Sequence, residues 1–309
     1  MDNTSGSRFS KYYINAGEVK NLGFETTLGF TPIKNEDFEW NGYLNFSTNK
    51  NTIISLPEQY STNGFELSNA GYKFRLYQGA EWGEMYAKKL KRNADGKIIV
   101  TQTTDGTKVT TNLSQSDKEE RIGNINPKFL MGLKNEFRYK NLSLGLLIDG
   151  RFGGQVLSMT QSFLNAAGRS AISADARDNG GVAIDGILQK FEIVGGKTVD
   201  KVTTTIDKVP AQLYYTSAPA GETSVYSATN VRLRELSISY NLPKSIIAGL
   251  EVINTAQISL IGRNLFFLYK EAPYDPDITL TTSGNGGSNT DNFGLPATRN
   301  LGISLNITF

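Results

Sequence analysis

The last ten residues, NLGISLNITF, alternate apolar and polar side chains without a break from Asn300 to Phe309. A period of two is the mark of a strand with one apolar and one polar face. The same parity recurs upstream. Leu22, Phe24, Leu28 and Phe30 oppose Gly23, Glu25, Thr27 and Gly29, and Phe38, Trp40, Leu44 and Phe46 oppose Glu39, Asn41, Asn45 and Ser47. In FLMGLKNEFRY, Phe129, Met131, Leu133, Phe137 and Tyr139 oppose Gly132, Lys134, Glu136 and Arg138. After the Lys140-Asn141 link, Leu142, Leu144, Leu146 and Ile148 oppose Ser143, Gly145 and Asp149. A further hairpin sets Leu236, Ile238, Tyr240 and Leu242 against Ser237, Ser239 and Asn241. It turns at Pro243-Lys244 and resumes with Ala256, Ile258 and Leu260 against Gln257 and Ser259. Weaker strands are expected at about 72–79 and 82–90, for about nine in all.

The polar faces carry Glu25, Lys134, Glu136, Arg138, Asp149 and Arg263. Those charges would be costly in a sandwich core and are ordinary facing water. The opposite faces are apolar bands with aromatics near both ends, Trp40 and Trp82 among them, as lipid–water interfaces require. The expected fold is therefore all-β, an antiparallel transmembrane β-barrel wall. Link lengths test this independently. If each strand reverses direction, the links near 32–37, 80–81, 140–141 and 243–255 fall on the side of Phe309, and those near 50–71, 91–127, 151–229 and 269–298 fall opposite. Short turns on one side and long loops on the other are the asymmetry of outer-membrane barrels.

Composition narrows the function. Hydrophobic residues make up 39% of the chain, below the roughly 45–50% of a typical globular protein. No run approaches the roughly 18–20 apolar residues of a membrane helix, a test that is blind to barrels. The N-terminus MDNTSGSRFS lacks the basic-then-apolar profile of a signal peptide. A net charge of +2 gives no reason to expect nucleic acid as a partner. With neither cysteine nor histidine in the chain, thiol chemistry, a Ser-His-Asp triad and a His-ligated metal are excluded, and no enzymatic activity is expected.

Several motifs carry two readings. DGRFGG at 149–154 has the look of a phosphate loop but lacks its lysine and follows a strand, so it reads as a glycine-rich exit into a long loop, with Asp149 and Arg151 candidates to face the lumen. In YDPDI, Asp275 and Asp277 are either a calcium pair or a rigid turn. Tyr214, Tyr215, Tyr226, Tyr269 and Tyr274 either stack on sugar rings or a lid protein, or pack their own loops. Arg232 and Arg234 share parity with Leu236 and Ile238, so the strand either bulges near Glu235 or leaves the bilayer. The expectation is the second, with both arginines at the extracellular rim.

The stretches NLGFETTLGF, DFEWNGYLNFSTNKN, RIGNINPKFLMGLKNEFRYKNLSLGLLIDGRFGG, ATNVRLRELSISYNLP, SLIGRNLFFLYKEAPYDPDI and GLPATRNLGISLNITF together resemble the C-terminal part of a SusC/RagA-type TonB-dependent outer-membrane transporter. The resemblance covers nearly the whole chain in order. It implies part of a 22-stranded barrel in the outer membrane of a Gram-negative bacterium, importing glycans or peptides beneath a SusD-like surface lipoprotein and energised by the TonB complex. In that family a signal peptide, a TonB box and a plug domain precede the barrel. Residues 1–309 would then be a partial barrel domain beginning near strand 14, without a cofactor beyond possible loop calcium. The resemblance also makes Leu301, Ile303, Leu305, Ile307 and Phe309 the lipid face of a terminal strand read by the insertion machinery. The competing reading is a soluble all-β carbohydrate-binding or adhesin domain, which requires the apolar stripes to pair face to face.

Overall fold

The computed structural model describes residues 17–61, 64–69, 71–247, 252–277 and 290–309. Its principal feature is an open wall of seven strands. They are β1 (Glu18–Lys34), β2 (Phe38–Ser55), β3 (Phe129–Tyr139), β4 (Leu142–Phe152), β5 (Asn230–Asn241), β6 (Thr255–Lys270) and β7 (Asn300–Thr308). Each pairs antiparallel with its neighbour in chain order.

Register carries the alternation across every strand. One row runs Ile33, Trp40, Phe137, Leu144, Ile238, Leu260 and Ile303, and the adjacent row Lys34, Glu39, Arg138, Ser143, Ser239, Ser259 and Ser304. Successive residues point to opposite faces, so one face of the wall is mainly apolar and the other mainly polar, with Asn135 on the first and Leu130 and Leu147 on the second. Among the described residues nothing covers the apolar face: Leu301, Ile303 and Phe309 are 83%, 75% and 74% exposed. The buried apolar clusters lie in the links, around Val100 and Leu113, around Phe74 and Met85, and around Val156 and Ala228. A sandwich would have buried these stripes against each other, so the soluble adhesin reading fails here.

Aromatics gather at both margins of the apolar face. Toward the long links, Phe24, Phe46, Phe129 and Phe152 follow one another with ring centroids 6.4, 5.6 and 4.6 Å apart. Toward the short links, Phe30 meets Trp40 edge-on at 6.2 Å and Trp40 stacks on Phe137 at 5.6 Å. The ring of Phe30 lies over Gly42, where a Cβ would fall 2.2 Å from it, so a side chain there would displace the aromatic. From Phe129 to Tyr139 is ten residue steps, about 33 Å along the strand and about 25 Å of height at a tilt near 40°, the thickness of an outer-membrane apolar band.

Two expectations are corrected. Strands form at Tyr72–Leu76 and Glu84–Ala87, but with Phe65–Asn69 and Glu120–Asn124 they make a separate four-stranded sheet. Among the described residues the wall therefore has seven strands rather than about nine, and Trp82 sits in a turn between two of the small strands, outside the girdle. Their apolar residues, Tyr72, Phe74 and Met85, are buried in a cluster completed by Leu157 of the next long link, which is why their alternation imitates that of the wall. Removing two strands preserves parity: 35–37, 140–141 and 242–254 remain on one side, and 56–128, 153–229 and 271–299 on the other. The middle of the last link, 278–289, lies outside the described residues.

The second correction concerns the arginines. β5 bulges at Arg234, which is left over where Leu147 and Ile148 pair with Glu235 and Leu233. One extra residue reverses the parity. Leu236 and Ile238 stay on the apolar face, while Arg232 comes opposite Asp149 on the polar one. The arginines thus sit on the polar face instead of escaping past the rim.

Candidate functional site

The bulge builds a charge cluster at the long-link end of the polar face. The segment after β6 folds back there, and Arg232 Nη2 donates to Asp275 Oδ1 and lies 3.3 Å from Asp277 Oδ2. Both members of the first pair are buried, at 5% and 7% side-chain exposure. The guanidinium also lies over the ring of Phe267, 4.1 Å from its centroid. Arg234 reaches Asp149 at 2.6 Å, Asn264 at 3.0 Å and Asp277 at 3.4 Å. Asn264 adopts a φ of 53°, a left-handed conformation that asparagine tolerates, in the irregular stretch of β6 facing the bulge. Asn230 Nδ2 donates to Asp277 Oδ1 at 3.2 Å, and the Asp277 amide donates to Asp275 Oδ1 at 3.0 Å.

Beside this cluster the polar face holds a cavity of about 910 Å³. Asp149, Arg151, Asn230, Arg234 and Asp277 line one part, and Glu25, Thr27, Asn45, Ser47 and Leu130 the other, beneath the 125–127 segment. Leu130 points to the polar face because it pairs with Arg151. Arg151 donates from Nη2 to the carbonyl of Ile125 at 2.6 Å, which pins that segment over the wall. The exit is glycine-rich as expected: Gly153 and Gly154 have φ of +84° and +81°, and a Cβ on Gly154 would come 3.0 Å from the same carbonyl.

The sequence-selected candidates divide. Asp149, Arg151, Asp275 and Asp277 converge, through Arg232 and Arg234, on one site. The tyrosines do not join it. Tyr214 packs on the cluster around Leu113, with its ring edge-on to Tyr215 at 5.2 Å. Tyr226 and Tyr274 pack on Val156, Ala228 and Ala272, and the Tyr274 hydroxyl donates to the carbonyl of Leu157 at 3.4 Å. Burial pushes the hydroxyls of Tyr214, Tyr226 and Tyr274 above the usual phenol range. Tyr215 lines a smaller cavity of about 420 Å³ with Arg177 and Asn165. Tyr269 pairs with Val231 on the apolar face. Asp275 and Asp277, the candidate calcium pair, are held by guanidinium groups, and among the described residues no group of three acidic side chains is placed to hold a metal. The terminal-strand residues Leu301, Ile303, Leu305 and Ile307 pair with Gly262, Leu260, Ile258 and Ala256 on the apolar face. Arg232 and Asn230 are the site members that parity alone misplaces or passes over, since a bulge leaves no mark in hydropathy.

An antiparallel wall with an uncovered apolar face, aromatic margins and a polar face bearing ion pairs and a cavity defines the wall of a transmembrane β-barrel. Comparison with known proteins agrees. TonB-dependent receptor P3 of Formosa agariphila is 28% identical over 330 residues, covering 98% of this chain and 30% of the relative. Receptor P26 of the same organism is 22% identical over 320 residues, covering 97% and 30%. The RagAB peptide importer in its closed-closed state superposes with a TM-score of 0.60 at 23% identity, over 99% of this chain and 31% of that one. The chain thus spans about 30% of the length of these relatives. No family model matches it. Over nearly its whole length the chain is thus similar to one part of TonB-dependent receptors, and its fold is that of the corresponding part of the RagAB importer's barrel.

Proposed function

We propose that residues 1–309 form part of the barrel wall of an outer-membrane importer that takes up oligosaccharides or peptides, energised through the TonB complex. The two-faced wall carries this reading. Its apolar face suits lipid and its polar face, with the 910 Å³ cavity, suits a hydrated path for a polar solute. The long links, which share buried apolar clusters, face the cell exterior and form the surface on which a SusD-like lipoprotein closes. The similarity to TonB-dependent receptors and to the peptide importer supports the class of activity. The terminal strand Asn300–Phe309 acts as the assembly signal.

The test is uptake by cells carrying the full-length receptor, with and without the segment that contacts TonB, together with affinity capture of the receptor from the outer membrane. Uptake lost on removing that contact, and co-purification of one surface lipoprotein, are expected. Energy-independent passage, or fractionation away from the outer membrane, contradicts the proposal.

A further inference from the structure

Of the charged side chains that line the cavity, Asp149, Arg234 and Asp277 each have an opposite charge in contact, whereas Arg151 and, on the cavity's far part, Glu25 are in no ion pair among the described residues. Asp149 and Asp277 share Arg234, and Asp275 and Asp277 share Arg232. The Arg151 hydrogen bond to the Ile125 carbonyl uses one of a guanidinium's five N–H donors, and its Nε is buried without an acceptor. Two residues away on the same strand and face, Asp149 spends Oδ2 on Arg234 and leaves Oδ1 buried without a donor. The spacing between the two is about 7 Å. Both line the same cavity, whose volume of about 910 Å³ falls within the range of small-molecule sites.

A guanidinium in the wall of a cavity, with donors left over from its bond to Ile125 and no carboxylate in contact, is a cation in want of a partner. A ligand that brings an anion to the fork supplies one, because charge-assisted bonds to guanidinium are the stronger kind. We infer that Arg151 is a carboxylate-accepting subsite in the barrel wall. It takes the acid group of an oligomeric substrate. The 125–127 segment, pinned by Arg151 itself, borders the subsite, and Gly154 leaves room for that segment to lie close. The required chemistry, a carboxylate, occurs in uronate-containing oligosaccharides and in peptides with a free C-terminus or acidic side chain.

This inference rests on the uptake reading above and deepens it. The test uses the full-length receptor in proteoliposomes and two ligand pairs: an acidic oligosaccharide with its methyl ester, and a short peptide acid with its amide. Binding is measured by titration calorimetry. The wild type is expected to prefer the acid over its neutral partner by on the order of tenfold in one of the two pairs, the worth of one charge-assisted hydrogen bond. Arg151→Gln is expected to abolish that preference while leaving the neutral ligand's affinity within about twofold, and Arg151→Lys to restore part of it. A purely structural role in holding Ile125 would weaken acid and neutral ligands alike. The pair showing the preference identifies the source of the carboxylate. Absence of any preference in the wild type, which needs no variant to fold, overturns the inference while leaving uptake intact. A preference that survives in Arg151→Gln overturns it as well. Binding of none of the four ligands, with no TonB-dependent uptake, overturns both this inference and the importer reading.

Discussion

Replacing Arg232 with alanine should release the segment that follows β6. Its guanidinium is buried at 5% exposure against Asp275 at 7%, with a second carboxylate, Asp277, 3.3 Å away. Removing the cation leaves Asp275 with the Asp277 amide as its donor to Oδ1 and none to Oδ2. Breaking a buried pair from one side typically costs about 3–5 kcal/mol, and the contact with Phe267 adds about 1 kcal/mol. The local opening free energy of 271–277 should fall by that amount, which accelerates amide exchange there about 10³ to 10⁴-fold until opening is no longer rare. Asp275→Ala should cost less, because Arg232 keeps Asp277. Arg234→Ala should cost about 1 kcal/mol, since its side chain is a third exposed and solvent screens the pair. In the double variant Arg232→Ala/Asp275→Ala no buried carboxylate remains opposite the lost cation, and part of the protection should return. The assay is hydrogen exchange with mass spectrometry on the full-length receptor in lipid. A change below about fivefold in 271–277 for Arg232→Ala, or effects of the two single changes that simply add, would refute the assignment of this pair as the latch.

Three further outcomes follow from particular contacts. Trp40 donates from Nε1 to Asn135 Oδ1 at 3.0 Å on the apolar face, so Trp40→Phe should cost about 1–3 kcal/mol by leaving an amide unsatisfied in lipid, and adding Asn135→Leu should recover most of it in bilayer refolding titrations. Gly42→Ala should displace the Phe30 ring and lose about 1 kcal/mol of aromatic contact, visible in the same titration. In the small sheet Lys73 and Arg75 each bridge Glu66 and Glu119. The hydrogen bond from Lys73 holds the Glu66 carboxyl below its usual range, and that to Glu66 raises the Lys73 ammonium. Glu66 therefore contributes stability above the ordinary glutamate range that is lost as pH falls through its lowered value. Lys73 contributes below the ordinary lysine range and loses its share as pH rises through its raised one. After a pH jump, a brief neutral protease pulse should cut 56–128 at both extremes and not between, and uniform resistance down to the strongest acid tested would contradict the network.

The wall strands are legible in the sequence because lipid on one side and water on the other impose alternation, as from Asn300 to Thr308. Leu147 shows the limit of hydropathy. It is apolar, yet its register with Lys134 and Glu235 places it on the polar face. The false wall strands near 72–79 and 82–90 failed for a related reason: a small sheet with one buried face alternates just as a barrel strand does. The site was half legible. Asp149 and Arg151 follow from parity, whereas the placement of Arg232 depends on one unpaired residue at Arg234, and nothing in composition distinguishes a bulge from a strand that runs past the membrane. The loop tyrosines could not be sorted from sequence, because burying a ring in the apolar clusters that the links share takes the same residue type as stacking on a sugar.

The central claim, that one face of this wall meets lipid and the other water, with the phase reversed at Arg234, is tested most directly by a cysteine scan of 231–241 in the full-length receptor, taking advantage of a segment that contains no cysteine. Each position is spin-labelled in the membrane and its contact with a lipid-soluble and a water-soluble relaxant compared. Positions 231, 233, 236, 238 and 240 should be lipid-accessible, and 232, 234, 235, 237 and 239 water-accessible, with two consecutive water-facing positions at the bulge. An unbroken alternation that places 232 and 234 with 236 and 238, or the absence of any period of two, would contradict the account.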